Sequence, residues 1–349
     1  MKGAEAIGEA AIRAGASAYF CYPITPQTEV AEYLAKRMPQ VGGVFLQGES
    51  EVAVANMLFG AAATGKRVFT STSSPGFSLM AEAMSYIAGA ELPVVFINVM
   101  RCGPGLGGVL AAQGDYWQAT RNSGHGDYRC PVLAPCSVQE AAELTVQAFD
   151  LAEKYRNPVI LLADGMIGQM MEPVSLDSLT PGVPSEKPWA TTGCRGRDPN
   201  IIKSLYLDPH VLEKMNLRLS AKYRRMVDEE VQVELYNQRD RLDLLVVAYG
   251  TMARICKTAI DILGEEGLHL ALVRPISLFP FPAAAVHAAA RHATRVVTVE
   301  LSQGQMVEDV DLALRELGPS EFFGRSGGVV PTPDEVAGAF RRLAKGACQ

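Results

Sequence analysis

The chain has 349 residues, of which 48% are hydrophobic and 20% charged, with a formal net charge of −6. That length suggests two domains on a prior of about 150 residues each, and the composition excludes a disordered chain. The negative balance argues against nucleic acid as the main partner, yet leaves room for an acidic small substrate, since one Arg in a pocket suffices to bind it.

The amino terminus, MKGAEAIGEAAIRAG, patterns as an amphipathic helix and lacks the apolar core and cleavage site of a signal peptide. No apolar run is long enough to cross a bilayer, so the expected compartment is the cytoplasm. SAYFCYPIT reads as a short strand entering a proline-bounded loop, and PQTEVAEYLAKRM as a helix with Pro26 in its first turn. GGVFLQGES is the next apolar strand, and EVAVANMLFGAAATG a buried helix ended by Gly65. KRVFTSTSS, LPVVFINVMR, PVLAPCS and NPVILLADG read as further strands. PGFSLMAEAMSYIAGA and VQEAAELTVQAFDLAEKY read as helices between them. Apolar strands alternating with helices predict a mostly parallel sheet covered on both faces.

Residues 1–175 thus form a first α/β domain. Residues 176–242 form a connector, irregular and proline-punctuated to about residue 200 and then helical from Pro209 to Asn237. Residues 243–349 return to α/β alternation, with LDLLVVAYG, LHLALVRPISLF and TRVVTVEL as strands and MARICKTAIDILGEEG as a helix between the first two.

Ligands of parallel α/β sheets bind beyond the carboxyl ends of the strands. Four such ends carry notable residues: Thr25; Glu49 and Glu51; the hydroxyl cluster before Pro75-Gly76; and Arg101. A carboxylate at a helix N-terminus is favoured by the dipole, by about 0.3–1 kcal/mol, so Glu51 suits an ordinary first turn. It equally suits a charge-assisted hydrogen bond to a ligand nitrogen. Arg101 follows a β-branched run and precedes the glycine-rich loop GPGLGG, a setting for bidentate capture of a carboxylate beside a mobile lid. That loop is neither a P-loop nor a dinucleotide fingerprint. His125, in Gly124-His125-Gly126-Asp127, reads as a loop hydrogen-bonding residue. The seven cysteines are odd in number and contain no C-x-x-C pair, which predicts scattered buried thiols rather than disulfides, zinc or an iron–sulfur cluster on this chain.

YPITPQTE, GESEVAVANMLFGAAATGKRVFTSTSSPGFSLM, AGAELPVVFINVMRCGPGLGG, QGDYWQATRNSGHGDYR and LAEKYRNPVILLADG together carry a resemblance. The chain resembles the alpha subunit of 2-oxoacid:ferredoxin oxidoreductases that use thiamine diphosphate, nearest in wording to the branched-chain (3-methyl-2-oxobutanoate) type. The resemblance implies a pyrimidine-binding domain of the thiamine-enzyme kind, then a domain like the transketolase carboxy-terminal one. It implies a Glu that hydrogen-bonds the aminopyrimidine ring and promotes its imino tautomer. In thiamine enzymes this Glu precedes a helix glycine by nine positions, which selects Glu51, ahead of Gly60, over Glu49. Pro23 and Ser74 are implied at the same cofactor, and Thr25 and Arg101 at the substrate's carboxylate or keto group.

The chain lacks the G-D-G motif with a downstream Asn by which thiamine enzymes hold magnesium and diphosphate; Ala163-Asp164-Gly165 is the nearest match. The resemblance therefore implies a beta subunit carrying the diphosphate and Mg2+ site, with [4Fe-4S] clusters also on partner chains. Gamma and ferredoxin-like delta subunits are implied, and no metal is expected here. The implied reaction converts a 2-oxoacid, coenzyme A and oxidised ferredoxin to acyl-CoA, carbon dioxide and reduced ferredoxin. Branched-chain 2-oxoacids lead, and 2-oxoglutarate follows, with Arg121 or Arg129 as candidates for its distal carboxylate. A non-catalytic scaffold subunit is the alternative of another class.

Overall fold

The computed structural model describes residues 1–183 and 185–346. The first sheet takes β1 (Ala18–Cys21), β2 (Val44–Gln47), β3 (Val68–Thr72), β4 (Val94–Met100), β5 (Val132–Leu133) and β6 (Pro158–Asp164). Its helices are α1 (Gly3–Arg13), α2 (Thr28–Gln40), α3 (Glu51–Ala63), α4 (Ser74–Leu79), α5 (Ala81–Gly89), α6 (Tyr116–Thr120), α7 (Val138–Tyr155) and α8 (Gly165–Gln169). No helix or strand forms among the described residues from Met170 to Asp208. Then come α9 (Pro209–Glu229), β7 (Val233–Tyr236), β8 (Leu244–Ala248), α10 (Gly250–Glu265), β9 (Leu270–Pro275) and β10 (Ser277–Phe279). The chain closes with α11 (Ala283–Ala290), β11 (Val296–Glu300), α12 (Met306–Leu314), β12 (Glu321–Gly324) and α13 (Pro333–Ala344).

The seven-stranded sheet runs β10-β5-β6-β4-β3-β1-β2 and the five-stranded one β12-β11-β8-β9-β7. β1 to β6 pair in parallel, so their carboxyl ends share one edge, with Thr72 opposite Asn98 and Met100 opposite Asp164. All seven residues of β4 are buried, as its β-branched run predicts. α7 spans the whole of its apolar stripe, capped where the Ser137 hydroxyl accepts the Glu140 N–H.

Four expectations need correction. LHLALVRPISLF is not one strand. β9 pairs with β8 in the second sheet, whereas β10 crosses back and pairs antiparallel with β5 in the first. The stretch from Pro209 to Asn237 is not helical throughout, because Val233–Tyr236 forms an antiparallel edge on β9. The helix expected from Pro75 breaks at Met80 into α4 and α5. The sheet is not covered on both faces throughout, because β2 is an edge with Val44 and Leu46 exposed.

Along β8 the side chains alternate: Leu245 and Val247 join the large core shared with the first sheet, while Leu244, Val246 and Ala248 pack with α10 and α13. The second sheet therefore docks on the first domain through one of its faces. Cys21, Cys102, Cys130, Cys136 and Cys256 are buried free thiols, whereas Cys194 is free but exposed, against expectation; Cys348 lies outside the described residues. No helix among the described residues is long and apolar enough to cross a membrane.

Candidate active site

Glu51 opens α3. Ser50 precedes it in extended backbone, and its hydroxyl accepts the Ala53 N–H at 3.2 Å. The cap is thus supplied by Ser50, which leaves the Glu51 carboxylate free for another partner. Glu51 is 5% exposed, and no hydrogen-bond donor among the described residues reaches its carboxylate. Glu49, two residues earlier, is exposed to solvent. The carboxylate oxygens keep contact with solvent and so stand open to a donor from outside the described residues.

Gly76, in the first turn of α4, lets the Glu51 side chain pack directly against its backbone. A Cβ there would lie 2.5 Å from Glu51 Oε1 and also collide with Thr72 Oγ1. Thr72 and Ser73, at the end of β3, are fully buried, and their hydroxyls have no hydrogen-bond partner among the described residues. Orphaned hydroxyls are the exception in protein interiors. Glu51 Oε1 and Thr72 Oγ1 thus converge on Gly76, and an unpartnered carboxylate beside an unpartnered hydroxyl suits the polar edge of an aminopyrimidine. Single-sequence reasoning noted the hydroxyl cluster but had no means to separate Thr72 and Ser73 from their paired neighbours.

Arg101 ends β4. Its Nη1 donates to the Thr25 carbonyl and its Nη2 to the Leu106 carbonyl, both at 3.0 Å, while Nε is buried without a partner. The guanidinium thus ties the turn at Thr25 to the glycine loop and keeps unused donor capacity. The turn itself is held by Gln27, a fully buried residue that sequence reasoning missed. Its amide donates to the Tyr22 carbonyl at 3.3 Å and accepts from Ser71 Oγ at 2.5 Å. The glycine loop closes where Gly108 N–H donates to the Cys102 carbonyl at 2.9 Å; Gly107 has φ +56°, and a side chain there would strike that carbonyl.

Ser74 sits beside Arg101. Its hydroxyl donates to Asp115 Oδ2 at 2.5 Å and accepts the Arg101 N–H at 3.0 Å. Burial pushes the Asp115 carboxyl above its ordinary 3.8, opposed by hydrogen bonds from Ser74 and Asn98 and by the charge of Arg101. Arg101, Ser74 and Asp115 line a cleft of about 350 Å3, together with Ser302 and Gln305 of the second domain. Thr25 lines a separate cleft of about 530 Å3 with Val109, Leu110 and Met166. Glu51 lines neither cleft. Pro23 is exposed on the same turn as Thr25. His125 is exposed, and its carbonyl accepts from Ser85 Oγ at 2.7 Å.

Asp164 is committed elsewhere. It is 1% exposed, its Oδ1 accepts from Met166 N, Ile167 N and Thr251 Oγ1, and its Oδ2 accepts from Thr251 N at 2.9 Å. Among the described residues, no group of three or more His, Cys, Asp or Glu is placed to hold a metal ion.

A family model described as "Pyruvate flavodoxin/ferredoxin oxidoreductase, thiamine diP-bdg" matches residues 9–229. A second, "Pyruvate:ferredoxin oxidoreductase core domain II", matches residues 243–336. Ketoisovalerate oxidoreductase subunit VorB of Methanothermobacter thermautotrophicus is 45% identical over 313 residues, covering 90% of this chain and 89% of that protein. 2-oxoglutarate synthase subunit KorA of Archaeoglobus fulgidus is 38% identical over 316 residues, covering 89% and 90%. The solved 2-oxoglutarate:ferredoxin oxidoreductase of Magnetococcus marinus superposes with a TM-score of 0.85 at 27% identity, over 99% of this chain and 65% of that chain. A split-gene transketolase, at a TM-score of 0.62 and 15% identity, shares the fold. With a buried unpartnered glutamate at the strand ends and these matches over nearly its whole length, the chain belongs to the 2-oxoacid:ferredoxin oxidoreductase family, as an alpha-type subunit with a thiamine diphosphate-binding domain.

Proposed function

We propose that this chain is the alpha subunit of a branched-chain 2-oxoacid:ferredoxin oxidoreductase, active only with partner subunits. The complex converts a 2-oxoacid such as 2-oxoisovalerate, with coenzyme A, to acyl-CoA and carbon dioxide. Two electrons pass, one at a time, to oxidised ferredoxin, and one proton is released. Thiamine diphosphate, when bound, would supply the nucleophilic carbon and the electron sink that decarboxylation of a 2-oxoacid requires. The observation that carries this reading is Glu51, 5% exposed and without a donor among the described residues, whose carboxylate meets the orphaned Thr72 hydroxyl at Gly76.

In this reading Glu51 accepts a hydrogen bond from the pyrimidine ring and shifts its proton balance toward the imino form. Thr72 lines the same end, with Pro23 and Ser74 at the cofactor's margins. Thr25 and Arg101 bind the substrate's carboxyl end, where the planar guanidinium suits a carboxylate. The diphosphate, Mg2+, [4Fe-4S] clusters and further gamma and delta subunits belong to partner chains. The exposed Val44, Leu46 and Val52, at the sheet edge and the start of α3, support this, since such an apolar strip beside a half-built site invites cover by a second subunit.

The branched-chain assignment rests on the similarity to ketoisovalerate oxidoreductase subunits and on cation placement. Arg121 is engaged by Asp309 at 3.0 Å, and Arg129 lies over the Phe279 ring at 5.7 Å. Arg121 is thus spent on an ion pair, and neither Arg lines the cleft at Arg101. Co-expression with partner subunits and a substrate panel test this. Higher kcat/KM for 2-oxoisovalerate than for 2-oxoglutarate is expected. The reverse order overturns the substrate, and equal activity without this chain makes it a scaffold.

A further inference from the structure

We infer that Asp115 is the positioning residue of Arg101, acting through Ser74, and that the second domain holds it there. The inference rests on the reading of Arg101 as the carboxylate-binding residue.

Asp115 is 9% exposed, and its Oδ2 collects two donors, Ser74 Oγ at 2.5 Å and Asn98 Nδ2 at 2.8 Å. Asn98 lies on β4, three residues before Arg101. Ser74 in turn accepts the Arg101 N–H at 3.0 Å. The carboxylate thus grips β4 at two points, one of them the peptide from which the guanidinium springs. It also orients the Ser74 proton. Without Asp115 that hydroxyl is free to donate to the Arg101 carbonyl, 3.2 Å away, and the Arg101 N–H loses an acceptor polarised by a charge.

Asp115 owes its place to the second domain. Its neighbour Gln113 is fully buried; its Nε2 donates to the Tyr249 carbonyl at 2.9 Å and its Oε1 accepts the Leu301 N–H at 3.0 Å. Tyr249 and Leu301 follow the ends of β8 and β11. On the other side Gln305 donates to the Gly114 carbonyl at 2.7 Å and accepts the Trp117 N–H at 2.8 Å. The segment from Gln113 to Trp117 is therefore fastened to the second domain on both sides of Asp115. Its carboxylate points back into the first. A displacement of one domain against the other reaches Arg101 by this route.

The test uses the assembled complex and measures KM for 2-oxoacid, KM for coenzyme A and kcat. Asp115→Ala should raise the 2-oxoacid KM by about tenfold and leave the coenzyme A KM within about twofold. Asp115→Asn keeps an oxygen acceptor for Ser74 and should recover most of that loss. The Arg101→Ala/Asp115→Ala double variant should be no worse than Arg101→Ala alone, because the two act as a unit. An unchanged 2-oxoacid KM in Asp115→Ala, while Arg101→Ala raises it, overturns the positioning role and leaves the reading of Arg101 standing. An unchanged KM in Arg101→Ala overturns that reading, and the inference with it. A parallel rise of both KM values without rescue by Asn marks a general structural role and also overturns it. If Asp115→Ala does not assemble, Ser74→Ala reads the same relay, and the same selective rise is required of it.

Discussion

Glu51 and Gly76 share one space: a Cβ on the glycine would lie 2.5 Å from the carboxylate oxygen. The first turn of α4 is therefore shaped by a side chain that arrives from α3. Gly76→Ala should strain the buried turn at Thr72 as well as displace the carboxylate, since the added methyl meets both. Turnover should fall at least about tenfold, with weaker thiamine diphosphate binding in a cofactor titration. Unchanged cofactor affinity would remove the glycine from the site.

Arg101 spends two donors on the carbonyls of Thr25 and Leu106. Lysine has no planar fork, so Arg101→Lys should behave much like Arg101→Ala. Each should raise the apparent KM for 2-oxoacid by about tenfold or more in steady-state kinetics. Full recovery in the lysine variant would mean that charge alone suffices.

Asp164 joins the two domains through Thr251, and it is buried. Asp164→Ala leaves the donors at Thr251, Met166 and Ile167 without an acceptor. The loss should be about 3 kcal/mol, read from the urea midpoint of the isolated chain. A shift within about 0.5 kcal/mol would show that water replaces the carboxylate.

Glu153 should contribute to acid sensitivity, since Arg67 contacts it at 2.8 Å and Lys187 also pairs with it. Burial raises its carboxyl's pKa, but the hydrogen bonds from Arg67 and Lys187 outweigh that, and the net lies below the ordinary 4.5. A group lowered on folding contributes stability that is present above its unfolded value and lost as pH falls through its folded value. Urea midpoints should therefore hold from about pH 7 to about pH 5 and drop below that. Glu153→Gln should be less stable at neutral pH, with a flatter acid limb. An unchanged acid limb would assign the loss to other carboxylates.

Most elements of the first sheet were legible in the sequence because their signals are local. α7 carries its Ser137 cap and apolar stripe within its own span, and β4 its β-branched run. What was not legible depends on partners distant in the chain. Nothing in Ser277-Leu278-Phe279 tells which sheet it will join, since the choice lies with β5, more than a hundred residues earlier. Val233–Tyr236 sits in a charged stretch, and its strand character comes from β9. The site followed the same rule. Spacing to Gly60 picked Glu51 over Glu49, and the two differ in burial. The orphaned hydroxyls of Thr72 and Ser73, the brace at Gln27 and the relay through Asp115 are relations between strands, invisible until the strands are paired.

The most direct test compares Glu51→Gln with Glu49→Gln in the reconstituted complex. The measurement is hydrogen–deuterium exchange at the thiazolium carbon of bound thiamine diphosphate. Glu51→Gln should slow exchange by at least about a hundredfold, with the complex still assembled and the cofactor still bound, while Glu49→Gln exchanges like the parent. Parental exchange in Glu51→Gln, or slowing in Glu49→Gln alone, would contradict the assignment of Glu51 as the residue that activates the cofactor.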